Sequence, residues 1–233
     1  MSKIQHSRFK GADWYSEEPE DVIVGGAGGI GSWTSMLLAR AGFNPTVYDF
    51  DIIEEHNLGG QLYPKLLIGQ PKVDALSQII DSFCNHQITM VNSKYDENSF
   101  SHTYVVSAFD NMEARKTMFN NWVEKIVKPW LQNKDSNVPI FIDGRLNAEQ
   151  MQIFCITPDN IDKYKEHLFD DSEVEDAPCT FKQTSHSAAM IAAHMVGFFT
   201  NHITNVKVGS IERKVPFYWE YFIPIDLLTI KDE

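Results

Sequence analysis

The chain has 233 residues, 43% of them hydrophobic and 12% aromatic, which is enough to bury a substantial core and excludes wholesale disorder. Twenty basic against 32 acidic side chains leave a formal charge of −12, which argues against nucleic acid as the main partner, because phosphate binding needs a basic face. Three cysteines, Cys84, Cys155 and Cys179, share no C-x-x-C spacing, so neither a disulfide framework nor a four-thiolate zinc site is expected, and a reducing, cytoplasmic setting follows.

Residues 1–20 are polar and acidic and read as an N-terminal arm, with no secretory leader expected. Val22 to Val24 reads as a buried strand, and it runs directly into Gly25-Gly-Ala-Gly-Gly-Ile-Gly31. Ser32 to Ala41 then reads as a helix closed by Gly42, and Thr46 to Asp49 as a second strand. A helix is expected over Val73–Phe83, strands over Ile88–Val91 and Tyr104–Ala108, and a helix over Met112–Trp130 broken at Pro129. Val138–Asp143 and Met151–Ile156 are further strands, and 160–184 is an acidic crossover loop. His186–Ile203 reads as a long helix, and Val215–Ile230 is aromatic and strand-rich. The longest apolar stretch, Ala188–Phe199, is too short to span a bilayer, so no membrane partner is expected. Strands alternating with helices predict an α/β fold in one domain over 1–233: a Rossmann-like doubly wound sheet, mostly parallel, with a mixed C-terminal part.

Gly26, Gly28 and Gly31 fill the G-x-G-x-x-G pattern between a strand and a helix, with Gly29 between them. Glycines there let backbone N–H groups approach a phosphate, and the helix N-terminus adds favourable partial charge. Asp49 ends the second strand, where a carboxylate accepts ribose hydroxyls. On these residues alone a nicotinamide oxidoreductase and an ATP-dependent adenylating enzyme fit equally well.

Four further segments separate the two: Asp49-Phe-Asp51, Asn57-Leu-Gly-Gly-Gln61, Gly69-Gln-Pro-Lys72-Val, and Asp110-Asn-Met-Glu-Ala-Arg115. In this order and spacing, with the glycine loop, they resemble the ThiF/MoeB/HesA family of ubiquitin-activating-enzyme-like adenylyltransferases. The resemblance covers about residues 20 to 120 and continues more weakly through Pro178-Cys-Thr180. It implies ATP and Mg²⁺ as cofactors. Lys72 would reach the phosphates and Asp110 would hold Mg²⁺. Asn57 and Gln61 would line the phosphate and adenosine region, Asn111 would shape the adjoining loop, and Asp49, helped by Asp51, would take the ribose. Each residue has a plainer reading beside this one. Lys72 at a helix start is an ordinary solvated charge, Asp110-Asn111 an ordinary helix cap, and Arg115 a structural partner for a strand-end carboxylate.

The chain departs from the family pattern at Gly60, where the family carries an arginine. A charge-assisted hydrogen bond of that kind is worth roughly 1.5–3 kcal/mol. Arg145, placed after the fifth strand, Lys65 and Arg8 are the candidate replacements. The paired cysteines of the family's zinc site are absent, so no zinc is expected, and the chain reads as a minimal adenylation domain. Cys179 stands where thioester-forming relatives carry their nucleophile. Lys182 and His186 lie near it in sequence, while the Asp170–Asp176 acidic run would oppose a thiolate. The plainer reading is a loop cysteine without chemistry; Cys155 reads as core and Cys84 as core or near-surface. His186, His194 and His202 recur every eight residues and read as packing or surface side chains rather than metal ligands.

By this resemblance the expected reaction is Mg·ATP-dependent adenylation of the C-terminal carboxylate of a small ubiquitin-like or sulfur-carrier protein ending in glycine, followed by thioester formation on Cys179. A homodimer is expected. The alternatives are adenylation of another carboxylate, on a peptide or a modified tRNA base, or a catalytically weak binding module because of Gly60.

Overall fold

The computed structural model describes residues 6–134, 137–169 and 184–232. Among them, strands β1 (Asp21–Gly25), β2 (Asn44–Tyr48), β3 (Thr89–Val91), β4 (Tyr104–Ser107), β5 (Ile140–Asn147), β6 (Gln150–Ile156), β7 (Tyr218–Phe222) and β8 (Leu227–Lys231) form one sheet. Its order is β3-β2-β1-β4-β5-β6-β7-β8. Every pairing from β3 to β5 is parallel and every pairing from β5 to β8 antiparallel. The central parallel strands β1 and β4 are covered on both faces, which is why they read as short continuous apolar runs, whereas the edge strand β3 is largely exposed. The chain winds outward from β1 in one direction and from β4 in the other, so a topological switch point lies between them, where ligands of open α/β sheets bind.

Helices α1 (Gly29–Ala41), α2 (Lys72–Cys84) and α6 (Ser185–Val208) share one apolar core with the sheet, through Met36, Leu38, Leu76, Ile80, Met195 and Phe199. On the other face α3 (Met112–Trp122) and α5 (Ile161–Lys165) bury Met118, Phe119, Trp122 and Tyr164 against Val105, Phe141 and Phe154. A side chain at Gly144 would overlap Met195, so this strand glycine is what lets α6 lie close on β5.

Several boundaries differ from the sequence reading. Helix α1 starts three residues earlier than Ser32, because Gly29, Ile30 and Gly31 wind into its first turn. A side chain at Gly31 would overlap the Gly26 carbonyl, so only glycine allows the helix to begin this close to the strand end. The expected break at Pro129 is absent. The backbone instead widens to π geometry over Val123–Val127 and resumes as α4 (Lys128–Asn133), with Pro129 in the first turn of that helix. Strand β5 runs on to Asn147, since it forms a hairpin with β6 in which Asn147 pairs with Gln150; Arg145 therefore lies inside a strand rather than after one. The start of the expected 160–184 loop carries α5. The aromatic tail becomes β7 and β8, with Phe217, Tyr218 and Trp219 buried and Leu227, Leu228 and Ile230 exposed on the outer strand. The described part of the N-terminal arm folds onto the turn before β2, with Phe9 stacked on Trp14 at 5.4 Å and Trp14 against Phe43 at 5.8 Å. No helix among the described residues is long and apolar enough to cross a membrane.

Candidate functional site

The glycine loop leaves β1 at Gly25 and is fixed by backbone bonds on both sides. The Gly26 N–H donates to the Tyr48 carbonyl at 2.8 Å, and the Ala108 N–H donates to the Gly25 carbonyl at 2.8 Å. Gly26 has φ +89, and a Cβ there would stand 2.9 Å from the Ala108 oxygen, so both its conformation and its surroundings demand glycine. Gly28 is different. The nearest atom to a Cβ at this position is Gln61 Nε2, 4.0 Å away, so the loop is open above it. No side chain caps the start of α1, which leaves the first N–H groups of the helix facing that open space. Gln61 presents its Nε2 to this opening, and its Oε1 is buried without a partner among the described residues. An open glycine loop, an uncapped helix N-terminus and the Gln61 amide donor beside them suit a bound phosphate ester better than a packed turn.

Asp49 ties the next strand to this loop. Its Oδ2 accepts the Ala27 N–H at 2.6 Å and its Oδ1 the Asp51 N–H at 2.8 Å. Burial holds the Asp49 carboxyl above its ordinary value, and the Ala27 N–H and the nearby Lys72 ammonium offset this only in part. Lys72 Nζ donates to Asp51 Oδ2 at 2.7 Å, and the Lys72 backbone N–H donates to the Asp51 carbonyl at 2.9 Å. A bridge between Ile52 and Pro71 holds the two segments together. The first residue of α2 is thus delivered, buried, to the end of β2. Asn57 is also buried, but its Oδ1 accepts the Glu54 N–H at 2.8 Å and closes a tight helical turn. Asp110 is exposed two residues past Ala108, on the same edge of the sheet, with Asn111 Nδ2 donating to its Oδ1 at 3.3 Å. Asn111 in turn caps α3 by accepting the Ala114 N–H at 2.8 Å.

Gly26, Gly28, Gly29, Gly31, Asp49, Asp51, Gln61, Lys72 and Asp110 therefore meet at the C-terminal edge of the parallel strands. Tyr63 belongs with them and the sequence reading missed it. Its buried hydroxyl donates to the Ala27 carbonyl at 2.6 Å, and burial with Asp49 nearby pushes the phenol well up. A tyrosine before Pro64 carries no pattern that would have revealed it.

A second cluster adjoins this edge. Asp143 is fully buried; it is paired with Arg115, accepts from Arg145 Nε at 2.7 Å and from the Tyr164 hydroxyl at 2.9 Å. Arg115 also donates to the carbonyls of Phe109 and Gly144, which places it behind Asp110 as a structural clamp. Burial pushes the Asp143 carboxyl up, but the two guanidinium groups and their hydrogen bonds overcome this and hold it below the usual carboxylate range. Arg145 also donates to the His167 carbonyl at 3.0 Å and lies over the Phe154 ring at 4.7 Å, and it lines a cavity of about 320 Å³ with Gln152, Phe217, Tyr218 and Lys231. Of the three cations considered as replacements for the arginine absent at Gly60, Arg145 is engaged here and Lys65 is exposed. Arg8 is exposed in the arm that packs at the opposite end of β2 from the glycine loop.

Cys179, Lys182 and the Asp170–Asp176 run lie outside the described residues. Cys84 and Cys155 are buried thiols, and burial raises both. The three histidines of α6 serve separate roles: His186 meets the Thr184 hydroxyl at 3.2 Å, His194 packs on Trp219 at 4.4 Å, and His202 donates to the Val138 carbonyl at 2.8 Å. No cluster of three or more potential metal ligands occurs among the described residues.

The ThiF family model matches residues 16–222. No curated protein sequence matches the chain. Among solved structures, selenomethionine PaaA superposes with a TM-score of 0.68 at 16% identity, covering 91% of this chain and 63% of PaaA. MccB of E. coli with ATP gives 0.64 at 16% identity over 91% of this chain and 63% of that one. MccB with MccA gives 0.71 at 15% identity over 97% and 70%. The chain thus spans about 63% of the length of PaaA.

Proposed function

This chain belongs to the ThiF family, and from that premise we propose that it adenylates a C-terminal carboxylate with Mg·ATP. The observation that carries this reading is the convergence on one sheet edge of an open glycine loop, a buried lysine and an exposed strand-end carboxylate. In such a reaction the carboxylate attacks the α-phosphorus and pyrophosphate departs, so charge builds around the phosphates and must be met by fixed cations and N–H donors. Lys72, held by Asp51, supplies the cation. The α1 N-terminus supplies the donors, and Gln61 and Asn57 flank them. Asp49 and Asp51 take the ribose side. Asp110 would hold Mg²⁺, which when bound would supply positive charge against the phosphates. Asn111 fixes the loop that carries Asp110.

The acyl substrate in this reading is a small ubiquitin-like or sulfur-carrier protein ending in glycine, and the working unit is a homodimer. The Cys179 thiolate then attacks the acyl-adenylate, releasing AMP and leaving a thioester. A second reading replaces the carrier with a short peptide. It draws support from the likeness to MccB, which was crystallised with MccA as well as with ATP.

Thermal denaturation with Mg·ATP and with NAD tests the nucleotide site. A ligand at 100 times its dissociation constant stabilises by about 2.7 kcal/mol, roughly 5–10 °C for a chain of this size. Mg·ATP should give that shift, and Asp110→Ala should lose it. A shift with NAD alone would overturn the reading.

A further inference from the structure

The Arg115–Asp143–Arg145 cluster sets two guanidinium groups against one carboxylate, and the fourth member, Tyr164, is a phenol pushed well above its ordinary range by burial and Asp143. One positive charge is left over, in a chain whose formal charge is −12. That charge faces the 320 Å³ cavity through Arg145, whose side chain is only 14% exposed. Of its five N–H groups, Nε is taken by Asp143, one on Nη1 by the His167 carbonyl, and one on Nη2 by the Tyr164 hydroxyl at 3.5 Å. The remaining two have no partner among the described residues. The other walls are the rings of Phe154, Phe217 and Tyr218, with Lys231 Nζ 5.4 Å from the Tyr218 centroid. Glu166 is the single carboxylate on the lining among the described residues, and it is exposed.

The strand register fixes where Arg145, the inner wall of this cavity, stands relative to the glycine loop. Gly25 is level with Ser107, Ser107 is level with Asp143, and Arg145 lies two residues farther along β5. Two strand spacings and one two-residue repeat place the Arg145 backbone about 12 Å from Gly25. About four extended residues cover that distance. Arg115 joins the two places physically, since it bonds both the Phe109 carbonyl, next to Asp110, and Asp143.

We propose that this cavity receives a carboxylate side chain from the last four residues of the acyl substrate, and that Arg145 is the residue selecting for it. The inference rests on the adenylation reading for the identity of the substrate. An aliphatic stem packs against the aromatic walls while its carboxylate takes the two N–H groups that have no partner among the described residues, on a guanidinium that Asp143 and His167 already hold in place. Lys231, exposed on the outer strand, adds a second, weaker attraction.

The test uses the full chain labelled with ¹⁵N-arginine. The probes are three acetylated tetrapeptides ending in glycine, each with one aspartate at a different upstream position, and their asparagine counterparts. At least one aspartate peptide should bind ten-fold or more tightly than its counterpart and move the Arg145 Nε–Hε resonance. Arg145→Gln should abolish the preference. Lys231→Gln, on the exposed outer strand, should keep the fold and reduce the preference two- to three-fold. Equal binding of each pair, no binding of any peptide, or a preference that leaves the Arg145 resonance in place would overturn the proposal. Mg·ATP in the same samples separates the two readings. A thermal shift without a peptide preference removes the cavity's role alone, whereas a preference without the shift removes the adenylation reading and leaves a carboxylate site.

Discussion

Lys72 Nζ donates to Asp51 Oδ2 at 2.7 Å, with the lysine side chain 8% exposed and the aspartate 49% exposed. The pair joins the first residue of α2 to the loop after β2, so the ammonium is aimed before any ligand arrives. Lys72→Ala should weaken Mg·ATP binding about 10- to 100-fold, the range for losing one charge-assisted hydrogen bond. It should cost under about 1 kcal/mol of stability, because Asp51 can turn to water. Titration calorimetry and urea denaturation read the two effects, and unchanged affinity would remove Lys72 from the site.

The glycine loop offers a sharper contrast. Gly26→Ala forces a left-handed backbone and a collision with the Ala108 carbonyl, so it should destabilise the fold by more than about 1 kcal/mol. Gly28→Ala meets nothing nearer than Gln61, so its melting temperature without ligand should stay within about 2 °C of the parent. The new methyl nevertheless enters the open space above the loop and should weaken nucleotide binding at least ten-fold. Equal nucleotide affinity in Gly28→Ala would mean that the phosphates lie elsewhere.

Asp143 predicts an acid limit to stability. Its folded carboxyl is held below the ordinary value, so its contribution is fully present above the unfolded pKa of about 3.9. That contribution disappears as pH falls through the lower folded value. Denaturation midpoints should therefore drop steeply below about pH 4, and Asp143→Asn should flatten that part of the profile. At pH 7 the substitution should cost about 3–5 kcal/mol, since it leaves the buried Arg115 and the partly buried Arg145 without their counter-charge. A variant as stable as the parent at pH 7 would show that the cluster is not a stability element.

Cys179→Ala should retain ATP–pyrophosphate exchange in the presence of the acyl substrate while losing any covalent adduct cleaved by thiols. Mass spectrometry of the intact chain detects the adduct, and an adduct persisting in the variant would end the thioester role.

Much of the sheet-edge site was legible in the sequence because its parts are local. A glycine run between an apolar strand and a helix, Asp49 at a strand end and Lys72 at a helix start each mark their own backbone environment. The Tyr63 contact was not legible, and of the Arg115 pairing only the kind of partner, a strand-end carboxylate, was. The Tyr63 hydroxyl acts on Ala27, 36 residues away, and Asp143 is neutralised by Arg115, 28 residues away. Neither partner leaves any trace near the other in the chain.

The sequence by itself determined the α/β alternation, the parallel half of the sheet and the glycine-loop edge, since apolar runs, helical periodicity and obligatory glycines are properties of short segments. Only the tertiary structure decided that Arg145 is engaged by Asp143 rather than free to replace the arginine missing at Gly60, and that its surplus charge faces a cavity. Those outcomes depend on the β5–β6 hairpin register and on α5 folding back over Phe154, and long-range packing of that kind is set by the whole chain at once.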